Sequence, residues 1–137
     1  MIQSGAINKH KRMKKKILVV DDEITIRTLL EKFLSHTYEV RAVSNGQEGL
    51  DWLQTGNIPD LMIVDLEMPV LDGYDYVKNV RSSGYFKDIP IMMLSGVDSS
   101  SERVKCYKLG ANDFMIKPFN PEELSLKIEI VLSHHNE

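Results

Sequence analysis

The sequence predicts one α/β domain, doubly wound, with helices on both faces of a five-stranded parallel sheet. Three observations carry this. Five short apolar runs are nearly free of polar residues, five longer stretches hold apolar residues at helical spacing, and capping or turn residues mark the junctions. At 137 residues, 42% of them hydrophobic and 27% charged, the chain has the size and composition of a single domain with one proper core.

Residues 1–14 read as a basic N-terminal arm, the domain as residues 15–133, and residues 134–137 as a C-terminal tail. Lys9, Lys11, Arg12, Lys14, Lys15 and Lys16 supply six of the 17 positive charges, and no acid precedes Asp21. A charge run without aromatics or periodicity reads as a solvated, disordered leader, at most touching phosphate or anionic lipid. The first strand is expected over 17–20 and the first helix over 24–34. A second strand over 40–43 leads through Ser44-Asn45-Gly46-Gln47, which reads as a capping box, into a helix over 47–54. The third strand, 61–64, precedes a helix over 74–81. The fourth, 91–94, precedes a helix over 101–109 that Gly110 closes. The fifth, 114–116, precedes a helix over 122–132 opened by Asn120-Pro121, a capping side chain before proline at the first helical position. Strands separated by helices run parallel with right-handed crossovers.

The arm conceals an acidic body: residues 17–137 hold 11 positive and 20 negative charges, a net −9. That balance argues against direct DNA binding by the folded body, since a nucleic-acid footprint is normally basic. No apolar run approaches the roughly 18 residues needed to span a bilayer, and the first residues lack the apolar stretch of a secretory signal. Cys106 is the sole cysteine, so neither an internal disulfide nor a thiolate zinc cluster is available, and a reducing cytoplasm is the expected compartment. Met62, Met92, Met93 and Met115 lie within apolar runs and read as core filling. His10, His36, His134 and His135 have no supporting ligands or catalytic neighbours in the sequence.

The C-terminal ends of parallel strands share one edge, where ligands bind. Polar residues recur there: Asp21-Asp22-Glu23 after the first strand, Asp65 after the third, Ser95-Gly96 after the fourth and Lys117-Pro118 after the fifth. Each has a plain structural reading as a cap or turn residue, but four converging segments favour a site. Three crowded carboxylates repel one another unless a cation joins them, which suits a hard oxygen-seeking ion such as Mg²⁺, with Mn²⁺ as a substitute. A neighbouring lysine then anticipates a further anion, and Asp65 is suited to take up phosphate as an acyl phosphate.

Asp21-Asp22-Glu23, Asp65-Leu66-Glu67-Met68-Pro69 with Asp72-Gly73, Ser95-Gly96 and Lys117-Pro118-Phe119 together resemble the motifs of response-regulator receiver domains, over roughly residues 15–133. The resemblance implies the flavodoxin-like strand order 2-1-3-4-5. It implies that Asp65 accepts phosphate from a phosphohistidine on a histidine kinase or histidine phosphotransfer protein. Asp22, Asp65 and the Glu67 backbone carbonyl would bind Mg²⁺ directly, Asp21 through water. Lys117 would pair with the Asp65 carboxylate, Ser95 would turn to bond the phosphoryl group, and the Lys117-Pro118 peptide would be cis. Phe114 stands where the family carries an aromatic that swings inward; its other reading is a plain core residue. Glu67 and Val97 occupy positions that influence acyl phosphate hydrolysis in this family.

On this resemblance the chain is no enzyme beyond catalysing its own phosphorylation and dephosphorylation. It would switch a downstream protein, or a second copy of itself, through the face of the fourth helix, fifth strand and fifth helix. Arg103, Tyr107, Lys108, Glu122, Leu126 and Lys127 are the candidate contacts. With only residues 133–137 after the fifth helix, output is expected through partners. A receiver excised from a hybrid kinase or larger regulator, or a phosphate shuttle or sink, would look the same. A haloacid-dehalogenase-like phosphatase is a remote alternative, because Asp65-Leu66-Glu67 lacks a second aspartate. A flavin carrier is disfavoured by the acids after the first strand.

Overall fold

The computed structural model describes residues 14–135, so the expected basic arm falls almost wholly outside the described residues, as do residues 136 and 137 of the tail. The chain alternates β1 (Lys16–Val20), α1 (Ile24–Leu34), β2 (Glu39–Val43), α2 (Gly46–Gln54), β3 (Leu61–Asp65), α3 (Gly73–Ser82), β4 (Ile91–Ser95), α4 (Ser100–Leu109), β5 (Asp113–Ile116) and α5 (Pro121–His135). All strands are parallel, in the order β2-β1-β3-β4-β5. This is the flavodoxin-like order that the resemblance implied.

Why the central runs are apolar throughout is visible in the two core layers. Leu18, Val20, Met62, Val64, Ile91 and Met93 point to one face, where Leu53, Tyr76, Val77, Val80 and Cys106 from α2, α3 and α4 cover them. Ile17, Val19, Leu61, Ile63, Met92 and Leu94 point to the other, beneath Leu30 and Leu34 of α1 and Leu124, Ile128 and Val131 of α5. Successive side chains of a strand alternate faces, so burial on both sides demands an apolar residue at every position. The edge strand β2 departs from this. Glu39 and Arg41 are exposed, and only Val43 is buried.

Two helix ends differ from expectation. The cap of α2 is Asn45, whose Oδ1 accepts from the Glu48 amide at 2.9 Å, while the Glu48 carboxylate accepts from both the amide and the hydroxyl of Ser44 at 2.6 Å. The capping box is thus shifted one residue along. Asn caps as well as Ser, and the Glu48 carboxylate is a stronger acceptor than the Gln47 amide. The helix α5 continues through His135, beyond its expected end near Leu132. Asn120 does cap it, accepting from the Glu123 amide at 3.0 Å. Gly110 closes α4 in the left-handed region, φ 112°.

Two turns, over 87–89 and 110–112, are fastened by one side chain to which the sequence analysis assigned no role. The Arg81 guanidinium, at the end of α3, donates to the carbonyls of Gly110 (2.9 Å), Lys87 (2.9 Å) and Ile89 (2.7 Å) and to Asn112 Oδ1 (3.0 Å). Asn112 Oδ1 in turn accepts from the Ile91 amide at 2.9 Å. A Cβ on Gly110 would lie 2.9 Å from Arg81 Nε, a second reason for glycine there.

The helix α4 is held differently from the others. Cys106 is its only buried residue. The Tyr74 hydroxyl of α3 donates to Glu102 Oε1 at 3.1 Å, and the Lys105 ammonium lies 3.9 Å from the centroid of the Tyr74 ring.

Arg81→Met, which keeps the apolar stem and strands several carbonyls, should destabilise the domain by about 2 kcal/mol. Thermal unfolding followed by circular dichroism would register that as a drop of several degrees. An unchanged melting temperature would contradict the fastening role.

Candidate functional site

The sheet edge does gather the expected residues. Asp21 and Asp22 follow β1, Asp65 ends β3, Ser95 ends β4, and Lys117 follows β5, joined to Pro118 by a cis peptide bond. Oxygen atoms of Asp21, Asp22 and Asp65 lie within 4.8 Å of one another. Asp21 and Asp65 are buried, while Asp22 is exposed. A cleft of about 400 Å³ opens over them, lined by Asp22, Glu23, Asp65, Glu67, Gly96, Val97 and Lys117.

Lys117 is the cationic centre. Its Nζ lies 3.0 Å from Asp65 Oδ1, 3.1 Å from Asp21 Oδ2 and 3.1 Å from Glu23 Oε1. The contacts to Asp65 and Glu23 are hydrogen bonds, whereas Asp21 Oδ2, fully buried, accepts none. The glutamate's share in this centre was not read from the sequence, where Glu23 is one more acid in a row. Main-chain proximity positions Asp65 as well. A Cβ at Gly73 would come 2.6 Å from the Asp65 carbonyl oxygen and 2.7 Å from Leu66 Cα, so glycine lets α3 begin directly against the end of β3. Asp72 caps that helix by accepting from the Asp75 amide at 2.9 Å.

Charge and burial compete at each group. Burial, then the charge of Asp21, pushes the Asp65 carboxyl up to about 7 against the opposing Lys117 ammonium. Asp21 is raised by burial too, partly offset by the Glu23 amide that donates to its Oδ1 at 2.9 Å. Burial depresses Lys117, but its hydrogen bond to Asp65 and the charges of Asp21 and Asp65 prevail, and its pKa rises. Three carboxylates surround one ammonium, a fourth from Asp22 lies beside Asp21 and Asp65, and one buried oxygen of Asp21 has no hydrogen-bond partner. This hard, oxygen-only donor set with surplus negative charge fits a divalent cation such as Mg²⁺.

Two other expected residues stand apart from the carboxylates. The Ser95 hydroxyl bonds within its own loop, accepting from the Val97 amide at 3.0 Å and donating to the Val97 carbonyl at 3.3 Å. Phe114 is 4% exposed and belongs to the core layer that includes Met93, Cys106 and Ala111. Its ring thus lies inward in this structure, on a strand covered by α4.

Asp65 keeps its proton to about pH 7 in the folded protein but releases it near 3.8 when unfolded. Its contribution favours the fold at low pH and is lost progressively as pH rises from about 4 through 7. In chelator, Asp65→Asn should therefore melt several degrees above the parent protein at pH 8 and show a smaller gain at pH 5, with Mg²⁺ narrowing the difference. Calorimetry at both pH values is the check, and a lower melting temperature for Asp65→Asn at pH 8 would contradict it.

The chain is also similar to known proteins. Residues 17–129 match the family of the response regulator receiver domain. Among curated relatives, "Probable transcriptional regulator ycf27" of Cyanophora paradoxa is 44% identical over 120 residues, 87% of this chain and 48% of that protein. The alkaline phosphatase synthesis transcriptional regulatory protein PhoP of Bacillus subtilis is 40% identical over 121 residues, 88% of this chain and 49% of that one. The chain thus spans about half the length of these relatives. Among solved structures, the chemotaxis response regulator CheY4 of Vibrio cholerae superposes with a TM-score of 0.81 at 36% identity, covering 87% of this chain and 99% of its own. The receiver domain of a signal transduction histidine kinase from Syntrophus aciditrophicus gives 0.80 at 30% identity, covering 88% and 91%. With the family's pattern spanning the whole sheet and its acidic edge, the chain belongs to the response regulator receiver domains of two-component signalling.

Proposed function

We propose that this chain takes a phosphoryl group from a phosphohistidine onto Asp65 and converts it into altered partner binding. The observation that carries this is the buried Asp65 carboxylate at the end of β3, hydrogen-bonded by Lys117 and flanked by Asp21 and Asp22. An Asp65 oxygen would attack phosphorus in line. The new P–O bond forms as the P–N bond to the donor imidazole breaks, and the bonding pair goes to that nitrogen, the imidazole leaving neutral because its other ring nitrogen already carries a proton. Asp65 attacks only when ionised, which Lys117 favours. Mg²⁺, held by Asp22, Asp65 and the Glu67 carbonyl with Asp21 behind water, would supply charge neutralisation for the phosphoryl oxygens; Mn²⁺ has the same preference for oxygen donors. Lys117 can then transfer its hydrogen bond from Asp65 to a phosphoryl oxygen. The donor would be a histidine kinase or histidine phosphotransfer protein, reached in the cytoplasm; none of the described helices is long and apolar enough to cross a membrane. No turnover is proposed beyond the chain's own phosphorylation and dephosphorylation.

Switching would begin at Ser95. To bond the phosphoryl group its hydroxyl leaves Val97, and the loop over 96–99 that leads into α4 follows it. The surface of α4, β5 and α5 offers a downstream protein or a second copy the exposed Val104, Tyr107, Leu126 and Ile130, with Lys108 and Glu122 beside them; Lys127 is partly engaged by Asp113 at 3.2 Å. Because the roughly twofold longer relatives include transcriptional regulators, control of transcription is the output their likeness supports, with DNA contacts made outside this acidic body.

Incubation with acetyl phosphate and Mg²⁺ should add the mass of one phosphoryl group, lost in Asp65→Asn and strongly reduced in Asp22→Asn or chelator. Persistence of the added mass in Asp65→Asn would refute the assignment. With beryllofluoride and Mg²⁺, amide NMR shifts should extend from the cleft through Ser95 and Val97 into α4. Shifts confined to the cleft would instead mark a phosphate shuttle or sink.

A further inference from the structure

The segment Asp21-Asp22-Glu23 carries two of the three clustered acids, yet the usual fastening of a helix entrance is missing from it. Glu23 occupies the N-cap position of α1 without a side-chain cap bond, and the first turn contains no acid. Its carboxylate reaches Lys117 instead. The segment is fixed in other ways: the Asp21 amide donates to the Val43 carbonyl at 3.1 Å, and Asp21 Oδ1 accepts from the Glu23 amide at 2.9 Å. The third fastening comes from Arg27, one turn into α1. Its backbone amide donates to the Glu23 carbonyl at 2.9 Å, and its Nη1 donates to the Asp21 carbonyl at 2.8 Å. The first is the opening bond of the helix, and only the second depends on the arginine side chain. Arg27 also lines a cavity of about 530 Å³ with Ser44, Glu48 and Trp52, where its charge acts on Glu48.

We infer that Arg27 is a positioning residue for cation binding: by tying the Asp21 carbonyl to α1, it sets the orientation in which Asp21 Oδ2 and Asp22 face Asp65. This rests on the phosphoacceptor reading above. A guanidinium near an acidic cluster opposes a divalent cation by charge, while its hydrogen bond favours the cation by geometry, so the two effects have opposite signs. If charge dominated, replacing Arg27 with a neutral residue of similar length would tighten cation binding. Positioning predicts the reverse.

The test is Mg²⁺ titration of the full chain by calorimetry, with amide NMR as a second readout. Arg27→Met should raise the Kd for Mg²⁺ about tenfold, the effect typical of losing a group that orients a ligand. It should also shift the Glu23 amide, which donates to Asp21 Oδ1. Arg27→Lys, which keeps the charge and one flexible donor, should fall between. An unchanged or lower Kd in Arg27→Met overturns the inference. Should Arg27→Met fail to give a folded NMR spectrum, Arg27→Lys decides alone: a weaker Kd supports positioning and an unchanged one overturns it. Absence of Mg²⁺ binding, or of acetyl phosphate modification, in the parent protein would instead defeat the phosphoacceptor reading.

Discussion

A single ammonium group lets the acidic edge of this sheet exist. Asp21 and Asp65 are buried within a few ångströms of each other, a placement that charge repulsion and desolvation both oppose, and Lys117 lies about 3 Å from each. The compensation is incomplete. One positive charge faces three carboxylates with Asp22 close by, Asp65 is driven toward protonation, and an oxygen of Asp21 is left without a hydrogen bond. On the proposed function, a bound cation and phosphoryl group would complete the arrangement that this residual imbalance leaves unfinished.

The geometry of a parallel sheet explains how such distant residues meet. Asp21 and Lys117 are 96 positions apart in sequence, yet each follows a strand whose C-terminal end lies on the same edge. Strand ends are fixed by the apolar layers beneath them, and Gly73 allows α3 to start hard against Asp65. The cluster is therefore carried on the ends of packed strands, while Ser95 opens the loop whose Val97 amide it holds.

What the sequence made legible, and what it concealed, divides along a physical line. Continuous apolar runs announced the strands because two-sided burial leaves no polar position, and the acids after β1 and β3 stood out against them. Features resting on distant partners left no local trace. Arg81 at the end of α3 and Arg27 within α1 look like ordinary exposed helix residues, because nothing in their neighbourhood names the carbonyls they bind. Glu23 looked like part of an acidic run, though it shares Lys117 with Asp65. The α2 cap slipped by one residue because Ser44 and Asn45 are both good caps, and only the reach of Glu48 distinguishes them. Phe114 is ambiguous for the opposite reason: its motif position suggests motion and its strand suggests burial, and a ring buried in the structure is compatible with both.

The attachment of α4 separates two properties that most helices combine. A helix pinned by a broad apolar face cannot be repositioned without disturbing the core, and most substitutions there threaten folding. With Cys106 alone buried and Leu109 packed partly against the core, α4 relies also on the contacts from Glu102 and Lys105 to Tyr74. Changes at those exposed positions can bias where the helix rests while leaving both core layers and the acidic edge intact. If α4 carries the proposed response, natural variation at these positions would retune it at little risk to the fold.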